Sequence, residues 1–237
     1  IQLAVDEINA AGGINGKQIE YKFEDDQADS EKSVNAYNTL KDWGMQALIG
    51  TTTSTPCTAV VEETHSDNMF QLTPSATAVD SIQYDNAFRM CFSDPNQGSA
   101  SADYIAENKL ATKVAIIYNS SDTYSSGIYQ TFATEANAKG LDVVAAEAFT
   151  ADNKTDFSVQ IQKAKDAGAE LVFLPIYYQE ASLILAQANK AGFTPKWFGC
   201  DGMDGILDLD GFDANLAEDL MFLTPFTANA TDEATQK

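Results

Sequence analysis

The chain has 237 residues, 44% of them hydrophobic, which supports one large or two modest α/β domains and argues against disorder. Its net charge of −21 removes the basic footprint that a nucleic-acid partner requires. No apolar run approaches the ~20 residues of a membrane-spanning helix.

Helix and strand alternate from end to end. Ile1, Ala4, Val5, Ile8 and Ala11 recur at helical spacing, and Gly12-Gly13 stops that helix. Gln18–Phe23 alternates with period two and predicts a strand. A helix is expected from about Asp29 to Trp43, a strand at Ala47–Gly50, a helix at Pro56–Asp67, and strands at Met69–Leu72 and Ala87–Phe92. A second series predicts helices at Gln97–Asn108, Gly127–Lys139, Phe157–Ala167 and Ala181–Ala191. Its strands are expected at Lys113–Tyr118, Val143–Ala148, Glu170–Leu174 and Trp197–Phe198. Repeated β-α-β order implies parallel sheets with helices on both faces. The continuously apolar runs Val114–Ile117 and Leu171–Leu174 suit central strands of such sheets.

Two breaks divide the series. Ser93-Asp94-Pro95-Asn96 reads as a connection, because proline disfavours helix at the residue before it. Leu223-Thr224-Pro225-Phe226 reads the same way. The expectation is two hinge-connected lobes, 1–92 plus 226–237 and 93–225. Both ends look cut: Ile1 opens inside a helix, and Asp232–Lys237 reads as the first turn of another.

The run Ala47–Pro56 carries the most chemistry. A short strand ends at Gly50 and breaks into Thr51-Thr52-Thr53-Ser54-Thr55, with Pro56 where a helix begins. Proline suits the first helical turn, and Ser54 or Thr55 suits the N-cap. A hydroxyl-ringed helix start is an anion cradle, or simply an ordinary cap. The loop has no Lys, Arg, His or Cys, so it is built to hold a carboxylate rather than to do chemistry. Thr73-Pro74-Ser75-Ala76-Thr77 also follows a strand, which places both loops at the carboxyl edge of one parallel sheet.

Few reactive groups remain. Arg89 is the sole candidate for a bidentate arginine clamp. His65 reads as the solvated end of a helix. Cys57, Cys91 and Cys200 show no C-x-x-C spacing, so no structural metal site is expected; they are buried free thiols, or one bridge and one thiol. There is no G-x-S-x-G elbow, and His65 is the only base a triad could use. Neither dinucleotide-binding nor P-loop glycine motifs occur. No enzymatic role and no cofactor are expected.

The stretch Ala4–Gly16 resembles the first helix of type I periplasmic binding proteins, in the branch of leucine/isoleucine/valine-binding proteins of ABC importers. Supporting stretches follow in order: Asp25-Asp26, Leu48-Ile49-Gly50, Thr73–Thr77, Tyr124-Ser125-Ser126-Gly127, Asp156-Phe157-Ser158 and Gly199-Cys200-Asp201-Gly202. The resemblance implies two Rossmann-like lobes, lacking here the first strand and the C-terminal elements of the longer family members. It implies an amino-acid ligand, aliphatic or small polar, and a membrane permease as partner. It also implies an extracytoplasmic site, periplasmic or on a cell-surface lipoprotein, reached by a signal peptide outside this chain. A sensor or regulator with the same fold is the alternative.

By the same resemblance, Ser54 and Thr77 hold the ligand carboxylate, with backbone from Thr53, Ser75 and Ala76. Asp201 faces the ammonium, one methylene shorter than the Glu of leucine-type binders; on its own it reads as a turn residue. Tyr124 and Tyr177 cover the ligand from the second lobe, or are half-buried core aromatics. Closure of one lobe on the other, hinged near Ser93–Pro95 and Thr224–Phe226, is the implied mechanism.

Overall fold

The computed structural model describes residues 1–225, 227, 230 and 231. The first lobe opens with α1 (Gln2–Ala10) and α2 (Ser30–Trp43). Asp29 caps α2 by accepting the Lys32 N–H, and Gly44 ends it in the left-handed region at φ 100°. There follow β1 (Ala47–Ile49), α3 (Ser54–Ser66), β2 (Phe70–Thr73) and β3 (Ala87–Arg89). The three strands form a parallel sheet in the order β1-β2-β3. Tyr37, Leu48 and Val60 make its core, between one sheet face and α2 with α3.

The second lobe continues with α4 (Asp94–Glu107), β4 (Lys113–Asn119), α5 (Thr123–Ala138), β5 (Asp142–Phe149) and α6 (Ser158–Asp166). It ends with β6 (Leu171–Leu174), α7 (Tyr178–Lys190), β7 (Lys196–Gly199) and β8 (Met221–Phe222). The order is β5-β4-β6-β7-β8, parallel throughout. Successive residues of a strand feed opposite cores. Val114 and Ile116 pack with Ile128 and Phe132 of α5, whereas Ala115 and Ile117 pack with Ile161 and Ile184 of α6 and α7. Both faces are therefore covered, as the apolar runs require. At the tight crossing of α4 on α5, a Cβ on Gly98 would lie 2.7 Å from backbone atoms of Ile128 and Phe132.

Several expectations need correction. Gln18–Phe23 forms no strand. Among the described residues no strand lies beside its backbone, and Asn9 instead binds both polar groups of Ile19, at 2.7 and 2.9 Å. Ser93–Asn96 is not an irregular connection: Ser93 is an N-cap accepting the Asn96 N–H, and Asp94 already belongs to α4. Pro95 sits in the first turn, where its missing N–H costs nothing. The crossing from the first lobe runs through Met90–Phe92. α5 begins four residues before the expected Gly127, because Asp122 caps it. All three cysteines are free, with Cys57 and Cys200 buried. The helical turn expected at Asp232–Lys237 lies outside the described residues, as does most of 226–237.

Candidate functional site

The carboxyl ends of β1 and β2 feed two loops that are bonded to each other. Thr73 Oγ1 donates to the Thr51 carbonyl and Ser75 Oγ to the Thr52 carbonyl, both at 2.7 Å. The Ala78 N–H donates to Ser54 Oγ at 3.1 Å. α3 starts at Ser54, with Thr53 rather than Ser54 or Thr55 in the cap position. The reason is that the neighbouring hydroxyls are used elsewhere: Ser54 Oγ binds the second loop, and Thr55 Oγ1 binds the second lobe. Accepting from Ala78 leaves the Ser54 hydroxyl proton free to donate. Thr53 Oγ1 is buried without a partner.

Arg89 is no ligand clamp. Its Nη1 donates to the Thr77 and Ala78 carbonyls at 2.9 Å each, which fixes the second loop from behind. His65 lies on the exposed end of α3 and stacks on Tyr84 with centroids 3.9 Å apart, away from both loops.

The second lobe contributes an acidic and aromatic set, again at the carboxyl edge of its sheet. Tyr124 lies in the first turn of α5 after β4, Tyr177 caps α7 after β6, and Asp201 follows β7. The rings of Tyr124 and Tyr177 stack with centroids 4.8 Å apart. Tyr124 Oη donates to Asp201 Oδ1 at 2.7 Å and accepts the Gly202 N–H at 2.9 Å. Burial pushes the Asp201 carboxyl up, and the bond from Tyr124 opposes that shift. Burial, with the Asp201 charge beside it, raises the Tyr124 phenol well above its ordinary range.

The structure brings the two sets together. Burial, with the charges of Asp122 and Asp201, raises the Tyr177 phenol well above its ordinary range. The Thr55 hydroxyl donates to Asp122 Oδ1 at 2.6 Å and accepts the Thr123 N–H at 3.0 Å, so the Ser54 end of α3 adjoins the Tyr124 end of α5. One pole consists of neutral donors and the other of carboxylate and phenol oxygens.

Sequence reasoning missed Asp94, Gln97 and Asp122 as members of this region, and placed Thr55 in it as a cap or cradle hydroxyl rather than as a contact to the second lobe. Gln97, buried on α4, accepts the Asp201 N–H on its Oε1 at 3.1 Å. Asp94, one turn earlier, is buried, and its carboxyl is pushed up to about 7 by burial, with Asp201 and Asp122 adding to the rise and Arg89 opposing it. The Thr77 hydroxyl tempers that rise without reaching hydrogen-bond geometry. The available signal was the helical spacing of Asp94, Gln97 and Ser101, three buried polar residues along one face of α4.

The whole chain, residues 1–237, matches the sequence model of the family described as periplasmic binding protein. It is 32% identical over 204 residues to Leu/Ile/Val-binding protein homolog 3 of Brucella melitensis, covering 85% of this chain and 55% of that protein. It is 29% identical over 228 residues to the leucine-, isoleucine-, valine-, threonine-, and alanine-binding protein of Pseudomonas aeruginosa, covering 94% of this chain and 60% of that one. The chain thus spans a little over half the length of these relatives. Among solved structures it resembles LivJ of Streptococcus pneumoniae, a branched-chain amino acid transporter substrate binding protein crystallised with isoleucine. That likeness has a TM-score of 0.89 and 31% identity, and it covers 98% of this chain and 66% of the other.

Proposed function

The chain belongs to the periplasmic binding protein family, and on that premise we propose that its protein captures an amino acid, aliphatic or small polar, between the two lobes. The observation that carries this reading is the opposition of two poles. On the first lobe, Ser54 and Thr77 with the backbone of Thr53 and Ser75 offer neutral donors to an α-carboxylate, while the Ala76 N–H, given to Thr73 Oγ1 at 3.0 Å, shapes the loop around them. On the second, Asp201 accepts from the α-ammonium while Tyr124 and Tyr177 cover the ligand. With Arg89 tied to carbonyls, the carboxylate is bound by hydrogen bonds rather than by a counter-charge.

The lobes of this reading are 1–92 with 226–237, and 93–225. Their closure presents the loaded form to the membrane permease of an ABC importer outside the cytoplasm. The relatives named for leucine, isoleucine and valine support the ligand class.

Calorimetry of the full-length protein against leucine, isoleucine, valine and alanine tests the proposal. Saturable 1:1 binding of at least one is expected. Asp201→Ala should weaken it about tenfold or more, because removing a charged partner commonly costs over ~1.4 kcal/mol. Wild-type affinity in that variant would remove Asp201 from the site; no heat from any amino acid would overturn the ligand class.

A further inference from the structure

One side chain of the first lobe is committed wholly to the second. Thr55, in the first turn of α3, donates its hydroxyl proton to Asp122 Oδ1 at 2.6 Å. The same oxygen accepts the Thr123 backbone N–H at 3.0 Å. A hydroxyl has a single proton to give, so Thr55 has none left for a ligand carboxylate. Asp122 is equally occupied. Its Oδ1 takes the Thr55 proton, and its Oδ2 caps α5 by accepting the Ser125 N–H at 3.2 Å.

Both residues sit beside groups assigned to the ligand. Ser54 precedes Thr55, and Tyr124 lies two residues after Asp122. The N-terminal turns of α3 and α5 therefore meet end to end, each bearing a ligand-facing residue next to its contact with the other. We propose that Thr55 and Asp122 form the closure latch of the protein: positioning residues that touch no ligand but hold the Ser54 and Tyr124 poles at binding distance.

The latch explains why a charged acceptor stands at this cap when a serine would cap the helix as well. A bond to a carboxylate is stronger than one between neutral groups, and the low-dielectric contact keeps it so. The bond exists only when the lobes are together, so it adds to the stability of the closed form alone. Its loss lowers the closed population and, in proportion, the apparent affinity.

The inference rests on the amino-acid reading for its binding arm and is independent of it for its distance arm. In the full-length protein, Thr55→Val removes the hydroxyl at nearly constant shape, while Thr55→Ser keeps it. Thr55→Val should weaken isoleucine binding about tenfold, mainly through faster dissociation, and Thr55→Ser should restore it. Spin labels at Lys32→Cys and Asn137→Cys, exposed on α2 and α5, with Cys91→Ser, report lobe separation. Thr55→Val should shift their distances, with or without isoleucine, toward the longer population. Unchanged distances in Thr55→Val would overturn the latch whatever the ligand proves to be. A lower melting temperature at unchanged distances would likewise reduce Thr55 to a structural role. If wild type binds no isoleucine while the distances still respond, the ligand reading fails and the latch stands.

Discussion

Asp94 is a carboxyl whose chemistry departs far from its type. It opens α4, where the helix dipole favours an anion, yet it is 2% exposed. Burial comes first among the causes that push it up to about 7, followed by its neighbours: Asp201 and Asp122 raise it and Arg89 lowers it. Gly127 of α5 makes room for it, since a Cβ there would lie 3.1 Å from Asp94 Oδ2. A carboxyl whose folded value exceeds its unfolded one binds a proton more tightly in the native state. Its stabilising contribution is therefore whole below pH ~4, declines as pH rises toward ~7, and is gone above. A shift of roughly three units corresponds to about 4 kcal/mol. Denaturant unfolding of the full-length protein between these limits should show stability falling with pH. Asp94→Asn should flatten much of that slope, leaving the parts due to Asp122 and Asp201, which are raised in the same direction. An undiminished slope in Asp94→Asn would remove Asp94 as its source.

Among the elements, the turn Asp201–Met203 tolerates little change. A Cβ on Gly202 would fall 2.9 Å from both the Ile176 carbonyl oxygen and Tyr124 Oη, and 3.1 Å from a Tyr177 ring carbon. Two of these neighbours are the aromatic wall of the site, and the third is rigid backbone. Gly202→Ala should therefore cost about 1–3 kcal/mol through overpacking and displace Asp201 from Tyr124. A thermal melt at the wild-type temperature would show that the turn has slack which the geometry denies. The chain order of elements was legible because parallel strands buried on both faces must be apolar throughout, as Val114–Ile117 and Leu171–Leu174 are. Helix starts were less so. At α4 and α5 the caps are Ser93 and Asp122, in polar runs that read equally well as loops. Ser54, Thr77 and Asp201 were reached through family resemblance. The bond from Tyr124 to Asp201 spans 77 residues of sequence, and no local pattern encodes it.

At the scale of the whole molecule the two lobes are unequally covered. Among the described residues, the second sheet has helices on both faces, but the first packs α2 and α3 on one face only. Its other face presents Ile49, Phe70 and Phe88 at 44, 45 and 49% exposure, and Phe70 and Phe88 stack on one another. Among the described residues, β1 is paired on one side only, which leaves Ala47–Ile49 a bare strand edge. Gln18–Phe23, patterned as a strand, adds exposed Tyr21 and Phe23 without a ladder. A contiguous apolar face beside an unpaired edge is a template for association. Opposing it is the net charge of −21, which repels like copies at low ionic strength. Salt should decide between the two, because screening shortens the reach of charge and leaves apolar burial intact. Residues 1–237 expressed alone should sediment with a growing oligomeric fraction as salt rises to ~0.5 M, where the Debye length is roughly 4 Å. Phe88→Lys with Ile49→Lys, which places charge on the open face and beside the edge, should return the chain to monomer. A chain that stays monomeric across that range would mean the face is too small or too well solvated to drive assembly, and the double substitution would then leave sedimentation unchanged.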